Sequence, residues 1–461
     1  MGLRNAGGTL HGREQLPFRG LARLFLTALG ISLLGYAFLG RGFAYLGIPP
    51  IYVDAFVWSL AALYLVARPI WLKMLREPLV LILVLFMVWG AIRTFPYLGV
   101  YGIDALRDGV LWGYGLFALA VAYLVWRLPL ELPVISWYAR YMFWLPVWAP
   151  VALVLYWLFG DSLPRFPWGP GGGTPVVNPK GGDIAVHLAG ILAFWLLIQP
   201  YWRQIGIQMR IFWLGWLLSF ALVGFTGRAA FLTVAITAMF LAFHVNAIRW
   251  VRVVILLGFF VVFFAAFGIE IDVGRERKVS FTQLATNLTS IFGEVEGFSG
   301  EGTKRWRLEW WEAILGYTFY GEYFWTGKGF GINLADDDGF QVLSGSALRS
   351  PHNGHLTVLA RSGVPGFVLW SMFFLLLSVR LWLSYSRWRV RGLRLEAGIR
   401  LWVLSYLVAA MINAAFDVYL EGPQGGVWFW TLVGLGLGLL LKDKRRTKPG
   451  HPAFHAQRLG Y

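Results

Sequence analysis

The side chains that could do chemistry in this sequence are few, and the most informative ones stand beside apolar stretches. The segment "SPHNGHLTVLARSGVPGF" (350–367) places His352, Asn353 and His355 just before apolar residues at helical spacing. Imidazole has an unperturbed pKa close to neutral, so a histidine can accept a proton from a hydroxyl group. His352 is therefore a candidate general base, with Asn353 and His355 as candidate supporting residues.

A set of basic residues accompanies this segment. Arg228 stands in the short turn "FTGRAAFL", Arg305 and Arg307 belong to "GTKRWRLEWWEAILGY" (302–317), and Arg349 precedes the histidines. Guanidinium groups bind phosphate through two parallel hydrogen bonds and keep their charge when partly desolvated. These four arginines are candidates for binding a diphosphate carried on a lipid. The combination favours glycosyl transfer, in which arginines stabilise the charged leaving group and a histidine deprotonates the acceptor hydroxyl.

Each of these residues also has a structural interpretation. Arg228 could be an interfacial anchor, and the basic residues of 302–317 could simply form the solvent-exposed face of an amphipathic helix. The two histidines could cap a helix or bind zinc, but the sequence has no cysteine and no HExxH motif. The acidic run Asp336–Asp338 could bind a cation, although a solvated turn is the simpler interpretation. Neither a metal site nor a cofactor is predicted.

Four further polar residues are candidates for supporting roles. Asp183 and His187 lie one helical turn apart at the start of a predicted span, where they could form a helix-start pair or line a cavity. Lys180 lies near the end of the Pro/Gly-rich segment Gly160–Gly182, which precedes them. Glu421, like Asp417, lies at the end of a later span, and acidic residues near membrane spans are functional candidates.

The composition is that of a membrane protein with many spans. Of 461 residues, 58% are hydrophobic and 14% are charged, and the mean hydropathy is +0.61, whereas soluble domains carry about 25% charged residues. The 25 tryptophans suit the interfacial belts of a bilayer. Most basic residues behind the net charge of +16 lie in short loops, which favours contact with anionic lipids and topology signalling over nucleic-acid binding.

Apolar runs near the ~20 residues needed to cross a bilayer predict about 12 transmembrane helices in an all-α fold. The bias of Lys and Arg among the loops predicts that both termini are cytoplasmic and that the long loop lies on the outer side of the membrane. The predicted spans are 21–40, 51–67, 78–95, 104–126, 138–159, 183–200, 211–226, 229–247, 252–270, 355–380, 400–420 and 426–441.

These spans divide the chain into five regions. A cytoplasmic N-terminal segment (1–20) precedes helices one to nine (21–270). An outer loop with one amphipathic helix follows (271–352), and helices ten to twelve (353–441) lead to a basic cytoplasmic tail (442–461).

Several stretches, taken together and in order, resemble the O-antigen ligase/polymerase superfamily of bacterial envelope proteins. The resemblance covers about residues 178–370, and "SPHNGHLTVLARSGVPGF" is its most specific part. The other matching stretches are "NPKGGDIAVHLAG" (178–190), "TGRAAFL" (226–232), "KRWRLEWWEAI" (304–314) and "GKGFG" (327–331).

The resemblance implies a multi-pass, GT-C-like glycosyltransferase of the bacterial inner membrane. Its donor would be a glycan on undecaprenyl diphosphate at the periplasmic face, and its reaction would be metal-independent and inverting. His352 matches the family's catalytic histidine, and Arg228 and Arg307 match its diphosphate-binding arginines. Arg305, Arg349 and His355 are added from charge and proximity alone.

Three functions are compatible with these features. A ligase would transfer the glycan to lipid A–core, and this is the function we expect. An O-antigen or exopolysaccharide polymerase would transfer it to a second lipid-linked repeat, which Arg165 and Lys180 could help to hold. A transporter of lipids or anionic solutes is the least favoured, because the sequence lacks paired Gly/Pro-interrupted spans in two halves.

Overall fold

The computed structural model describes residues 16–168, 173–201, 209–245, 271–272, 278–279, 300–343, 345 and 348–446. Within these residues the chain is mainly α-helical, as predicted. The first helices are α1 (Leu16–Leu39), α2 (Val53–Val66), α3 (Pro78–Ile92), α4 (Leu98–Tyr101), α5 (Ile103–Gly113), α6 (Gly115–Arg127), α7 (Glu131–Tyr141) and α8 (Leu145–Phe159).

The second half of the described chain contributes eight more α-helices, and the described strands are short antiparallel pairs. The helices are α9 (Gly181–Leu197), α10 (Met209–Thr226), α11 (Arg228–Ala242), α12 (Gly300–Phe319), α13 (Leu334–Asp337), α14 (Gly354–Val390), α15 (Arg394–Ala414) and α16 (Pro423–Arg446). The pairs are β1 (Gly47–Ile48) with β2 (Ile51–Tyr52), β3 (Arg165–Phe166) with β4 (Thr174–Pro175), and β5 (Ile271–Asp272) with β6 (Lys278–Val279).

Helices lie at every predicted span except 252–270, which falls outside the described residues. Within the described chain, seven helical segments are long and apolar enough to cross a membrane. The number is eight if Val53–Val66 and Pro69–Arg76, which meet at 84°, form one broken span. The remaining apolar helices are shorter: Gly181–Leu197, Arg210–Gly224 and Arg228–Ala242. The chain is a multi-pass membrane protein, while the number of twelve spans and the periplasmic position of the long loop stay predictions.

Helix α14 is broken where the sequence reads Gly-Val-Pro-Gly. Gly363 leaves the helical conformation with φ 66°. Pro365 has no N–H to donate to the carbonyl of Arg361, four residues earlier. The N–H of Gly329 donates to that carbonyl instead, at 3.0 Å. The segment 327–331 thus satisfies backbone groups that the break leaves without helical partners, as a membrane helix requires.

The same segment needs its glycines. Gly327 and Gly329 have φ of 58° and 86°, in the left-handed region that glycine tolerates best. A Cβ on Gly327 would lie 2.5 Å from the carbonyl carbon of Arg361, and one on Gly329 would lie 2.1 Å from the Tyr97 ring. The motif "GKGFG" therefore follows from close packing against the break in α14.

The amphipathic helix predicted at 302–317 is α12. Its buried Trp310 and Ile314 pack with Leu359 of α14 in a small core of their own. The indole of Trp311 donates a hydrogen bond of 2.8 Å to the carbonyl of Pro351. This part of the long loop is therefore folded onto α14 and holds the residue just before His352.

The acidic run after α12 has a partner of its own. The ammonium group of Lys328 lies 2.5 Å from both Asp337 and Asp338, and the Trp310 indole donates to Asp338 at 2.6 Å. Among the described residues, no group of three or more His, Cys, Asp or Glu side chains has the geometry to hold a metal ion.

At one end of the molecule, buried charges tie α14, α15 and α16 together. Arg400 lies 2.5 Å from Asp443 and packs over the Trp388 ring at 4.7 Å. Ser384 also donates to Asp443. The side chains of Arg400 and Asp443 are only 2% and 6% exposed, so their desolvation is offset by this pairing.

The residues that flank Asp443 pair with other helices. Lys442 lies 2.6 Å from Glu131, the first residue of α7. Lys444 lies 3.0 Å from Glu77, which also pairs with Arg380. Because these charges are held by neighbouring helices, α16 continues to Arg446, beyond the end of the predicted span at 441. We call this set the Asp443 network: Glu77, Glu131, Arg380, Ser384, Arg400, Lys442, Asp443 and Lys444.

Candidate active site

Several helix ends meet at the opposite end of α14, α15 and α16. The starts of α9 and α14 and the end of α15 face residues 415–422, which link α15 to α16. Helix α12 contacts Phe416 of this link through Arg307, and it contacts Pro351, just before α14, through Trp311. We call the polar side chains gathered there the polar cluster: Lys180, Asp183, Arg228, Arg307, His352, Asn413 and Asp417.

Asp417 is the residue that several members of the cluster share. Its Oδ1 accepts a 2.5 Å hydrogen bond from Lys180 Nζ and a 2.8 Å bond from the Val418 N–H, and it lies 3.6 Å from His352 Nδ1. Burial alone would raise the pKa of the Asp417 carboxyl, but the nearby His352 and Lys180 outweigh burial and hold this pKa well below its ordinary value. Asp417 is therefore an anion at neutral pH.

His352 has an unusual backbone. Its φ of 52° is the only positive value at a non-glycine residue in the described chain. Such a conformation is sparsely populated for most residues and recurs at functional sites, where the surrounding structure enforces it. Here Trp311 holds Pro351 on one side, and Asn353 caps α14 on the other. One edge of the imidazole faces Asp417. The side chain is 29% exposed, so the ring also remains accessible.

Arg307 lies close enough to Asp417 and to Arg228 to interact with each of them electrostatically. Arg307 donates to the backbone carbonyl of Phe416 at 3.2 Å. Burial lowers the pKa of Arg307, and the charge of Arg228 lowers it further, while Asp417 opposes the shift. Arg228 is the first residue of α11, whose N-terminal N–H groups also favour an anion. The mutual repulsion of two guanidinium groups makes this region a favourable place for a bound anion.

The polar cluster contains buried atoms without conventional hydrogen bonds among the described residues. These atoms are Nδ1 of His352, Nε of Arg307, both side-chain heteroatoms of Asn413 and both carboxylate oxygens of Asp183. The side chain of Gln424 faces the Asp183 carboxylate. Most buried polar atoms in proteins are satisfied, so several unsatisfied ones together suit a site that binds a polar ligand. Gly182 allows this gathering, since a Cβ there would lie 2.7 Å from Asn413 Oδ1.

Asn353 and His355 serve the backbone and the interior. The side chain of Asn353 accepts from the N–H groups of His355 and Leu356 at 3.0 and 3.1 Å. His355 accepts from the Trp370 indole at 3.2 Å and contacts the Met411 carbonyl through Nε2 at 3.0 Å. Both ring nitrogens of His355 are therefore occupied.

His187 and Glu421 lie near the cluster but have partners elsewhere. His187 is buried and contacts the Tyr406 hydroxyl through Nδ1 at 2.5 Å. Glu421 accepts from the Thr357 hydroxyl at 2.8 Å. Burial raises the pKa of Glu421, although Arg361 partly opposes this.

The remaining two predicted arginines are paired away from Asp417. Arg305 is 84% exposed and bonds Glu309 at 2.9 Å. Arg349 pairs with Asp104 at 3.3 Å and with Asp108 at 3.0 Å. The structure thus brings Arg307 near Asp417 and Arg228 near Arg307, and it gives Arg305 and Arg349 other carboxylates.

From the sequence alone, Asp417 was only a weak candidate, and Asn413 and Arg41 were not candidates. In the structure Arg41 interacts electrostatically with Asp183. The sequence does contain a signal that points to Asn413 and Asp417. A polar residue at the end of an apolar helix, Asn413, is followed about one turn later by an acidic residue, Asp417. Arg361, buried in α14 and paired with Asp108 at 2.9 Å, carried the same signal inside a quoted motif.

Residues 213–371 match the family model described as O-antigen ligase. This part of the chain is similar to the O-antigen ligase family. The match extends from α10 into α14 and includes Arg228, Arg307 and His352, so the resemblance seen in the motifs is confirmed. It supports a membrane enzyme of polysaccharide biosynthesis that acts on lipid-linked glycans, and ligation and polymerisation are both compatible with it. A comparison with curated proteins finds no match.

Proposed function

We propose that the chain is a ligase-type glycosyltransferase, which moves a glycan from undecaprenyl diphosphate to a hydroxyl of lipid A–core at the periplasmic face of the inner membrane. The observation that carries the proposal is the polar cluster, which joins a histidine, an ionised carboxylate and two arginines at one end of the helices. These are the groups that transfer from a diphosphate donor requires.

His352 acts as the general base. Its Nδ1 faces the Asp417 carboxylate, which orients the ring and stabilises the imidazolium, so Nε2 is the atom that receives the proton. As the acceptor O–H gives its proton to Nε2, the acceptor oxygen forms a bond to the anomeric carbon. The bond from that carbon to the diphosphate oxygen breaks on the opposite face, which inverts the anomeric centre.

Arg307 and Arg228 bind the diphosphate leaving group. The bond pair leaves with the diphosphate oxygen, and the growing negative charge is stabilised by the two guanidinium groups and the N-terminus of α11. Binding an anion also relieves the repulsion between these arginines. Lys180 holds Asp417 in position and adds positive charge nearby.

One observation favours ligation over polymerisation. Arg165, which could have helped to hold a second lipid-linked substrate, bonds the carbonyl of Gly173 within its own hairpin and, just before the hairpin, the carbonyl of Gly160 and the carboxylate of Asp161, each at 3.1 Å. Lys180 is likewise engaged by Asp417. Neither side chain is therefore directed to a second polyprenyl diphosphate.

The deciding experiment incubates the purified protein with lipid-linked glycan, with and without lipid A–core. Transfer that depends on lipid A–core supports the ligase, and a ladder of longer lipid-linked glycans without it would indicate a polymerase. A parallel reaction with EDTA tests metal independence. Loss of activity that a divalent cation restores would overturn the metal-free assignment.

A further inference from the structure

Helix α12 has an exposed face whose character changes along its length. The exposed residues recur at helical spacing and therefore share one face: Arg305, Leu308, Glu309, Glu312, Leu315, Gly316, Phe319 and Tyr320. The first half of this face is mainly charged, with Arg305 and Glu309 84% and 52% exposed. The second half carries no charge and ends at Tyr320, which is 92% exposed. The two ends of α12 therefore suit different surroundings.

The segment that follows α12 continues the apolar half of this face. Trp325 is 69% exposed. The carbonyl of the next residue, Thr326, accepts a 2.7 Å hydrogen bond from Nε of Arg93, just after α3. The N–H of Phe330 donates to the Arg93 carbonyl at 3.3 Å. These bonds place Trp325 beside the end of α3.

Helix α3 has a row of exposed apolar side chains that leads to the same place. The helix belongs to a candidate membrane span, Pro78–Tyr101. The row follows helical spacing, with exposures between 43% and 51%, and consists of Leu81, Leu85, Val88 and Ile92. On a membrane span such a row faces lipid, so Trp325 extends a lipid-facing surface at its end. Because Glu77 at the other end of α3 belongs to the Asp443 network, Trp325 lies on the side of the polar cluster.

The residue types of the segment fit the boundary between lipid and water. Tyrosine and tryptophan are enriched there because each combines an apolar ring with one polar group. Glu322, between Tyr320 and Trp325, is exposed, so the segment suits the depth of the lipid head groups better than the hydrocarbon core. We propose that Phe319, Tyr320 and Trp325 insert into the head-group region of the leaflet on the side of the polar cluster. Whichever reaction the cluster performs, this anchor fixes the depth of α12, which carries Arg307.

The absence of cysteine from the chain makes a direct test of depth possible, because one introduced cysteine can carry a spin label at a chosen position. The label is placed in proteoliposomes of phosphatidylethanolamine and phosphatidylglycerol. The measured quantity is the ratio of its collisions with oxygen, which concentrates in lipid, to its collisions with a nickel chelate, which stays in water.

Four variants compare the anchor with lipid and with water. Tyr320→Cys and Trp325→Cys report on the anchor, and Glu309→Cys is the matched control on the charged half of the same face. Val88→Cys marks the lipid-facing row of α3. We expect the oxygen-to-nickel ratio at both anchor positions to be several-fold above that of Glu309→Cys and below that of Val88→Cys.

Two results would overturn the proposal. Anchor labels with the ratio of Glu309→Cys would place these side chains in water. Few collisions with either reagent would show that another protein surface covers them.

A second measurement needs no substitution. The wild-type protein is irradiated in the same liposomes with a phospholipid that carries a photoactivatable group beside its head group, and the attached sites are mapped by mass spectrometry. We expect attachment within residues 319–325 and little within residues 305–312. Equal attachment to both segments, or none within 319–325, would contradict the anchor.

Discussion

The polar cluster and the Asp443 network both bury charged groups at the ends of the same helices, but they differ in how these groups are satisfied. In the Asp443 network, Arg400 and Asp443 contact each other directly, and Lys442 and Lys444 each reach a glutamate. In the polar cluster, Asp183, Asn413 and Arg307 retain buried atoms without conventional partners among the described residues.

This difference indicates that the charges of the Asp443 network hold helices together, whereas those of the polar cluster are available to bind a substrate. A paired buried charge is costly to disrupt, because its former partner is left unpaired in a medium of low polarity. A polar group with unused hydrogen-bonding capacity costs stability in the folded protein, and binding a ligand repays that cost. We therefore expect mutations in the two regions to affect different quantities.

The largest expected effect is on transfer by His352→Asn. Asparagine tolerates the positive φ of this position but cannot act as the base. We expect transfer to fall by about 10²- to 10⁴-fold, with little change in melting temperature. The measurement is the transfer rate from lipid-linked glycan beside a thermal melt in detergent. A comparable loss of stability would erase the distinction between the two regions.

The reverse pattern is expected for Asp443→Asn. Removing this carboxylate leaves Arg400 buried without its charged partner, and we expect a loss of about 3–5 kcal/mol in stability. Transfer per folded molecule should be nearly unchanged. The double variant Arg400→Met/Asp443→Leu should melt above the single one, since neither charge is then left unpaired. A double variant less stable than the single one would contradict this account of the network.

Arg307→Lys should produce an intermediate effect within the polar cluster. The substitution keeps the charge but loses the planar fork that binds two phosphate oxygens. We expect transfer to fall by about 10- to 100-fold, which corresponds to one strong charged hydrogen bond. Transfer rates at increasing donor concentration test this directly. If lysine serves as well as arginine, diffuse positive charge is enough at this position.

The smallest effect is expected for Arg305→Gln, two residues away on the same helix. Its guanidinium is exposed and pairs with Glu309 on the same helix, and such surface pairs contribute about 0.2–1 kcal/mol. Transfer and stability should both stay near wild type. If Arg305→Gln reduced transfer as much as Arg307→Lys does, the assignment of only Arg307 to the polar cluster would be wrong.

The sequence predicted the helices well, because apolar runs and Gly/Pro breaks are local signals. The helix at Gly300–Phe319 followed from such a pattern, and Gly363 and Pro365 mark the position where α14 breaks. Partners across the fold were not predictable in this way. Arg349 and Arg307 look alike in sequence, yet one meets Asp108 and the other approaches Asp417. The weight of Asp417 likewise emerged only when α9 brought Lys180 beside it.

The most direct test of the account compares His352→Asn and Asp443→Asn in one assay, as transfer from undecaprenyl-diphosphate-linked glycan per folded molecule. The account predicts that His352→Asn melts like the wild type and loses transfer, while Asp443→Asn melts lower and transfers normally once folded. Retained transfer by His352→Asn would contradict the central claim that the polar cluster is the catalytic site.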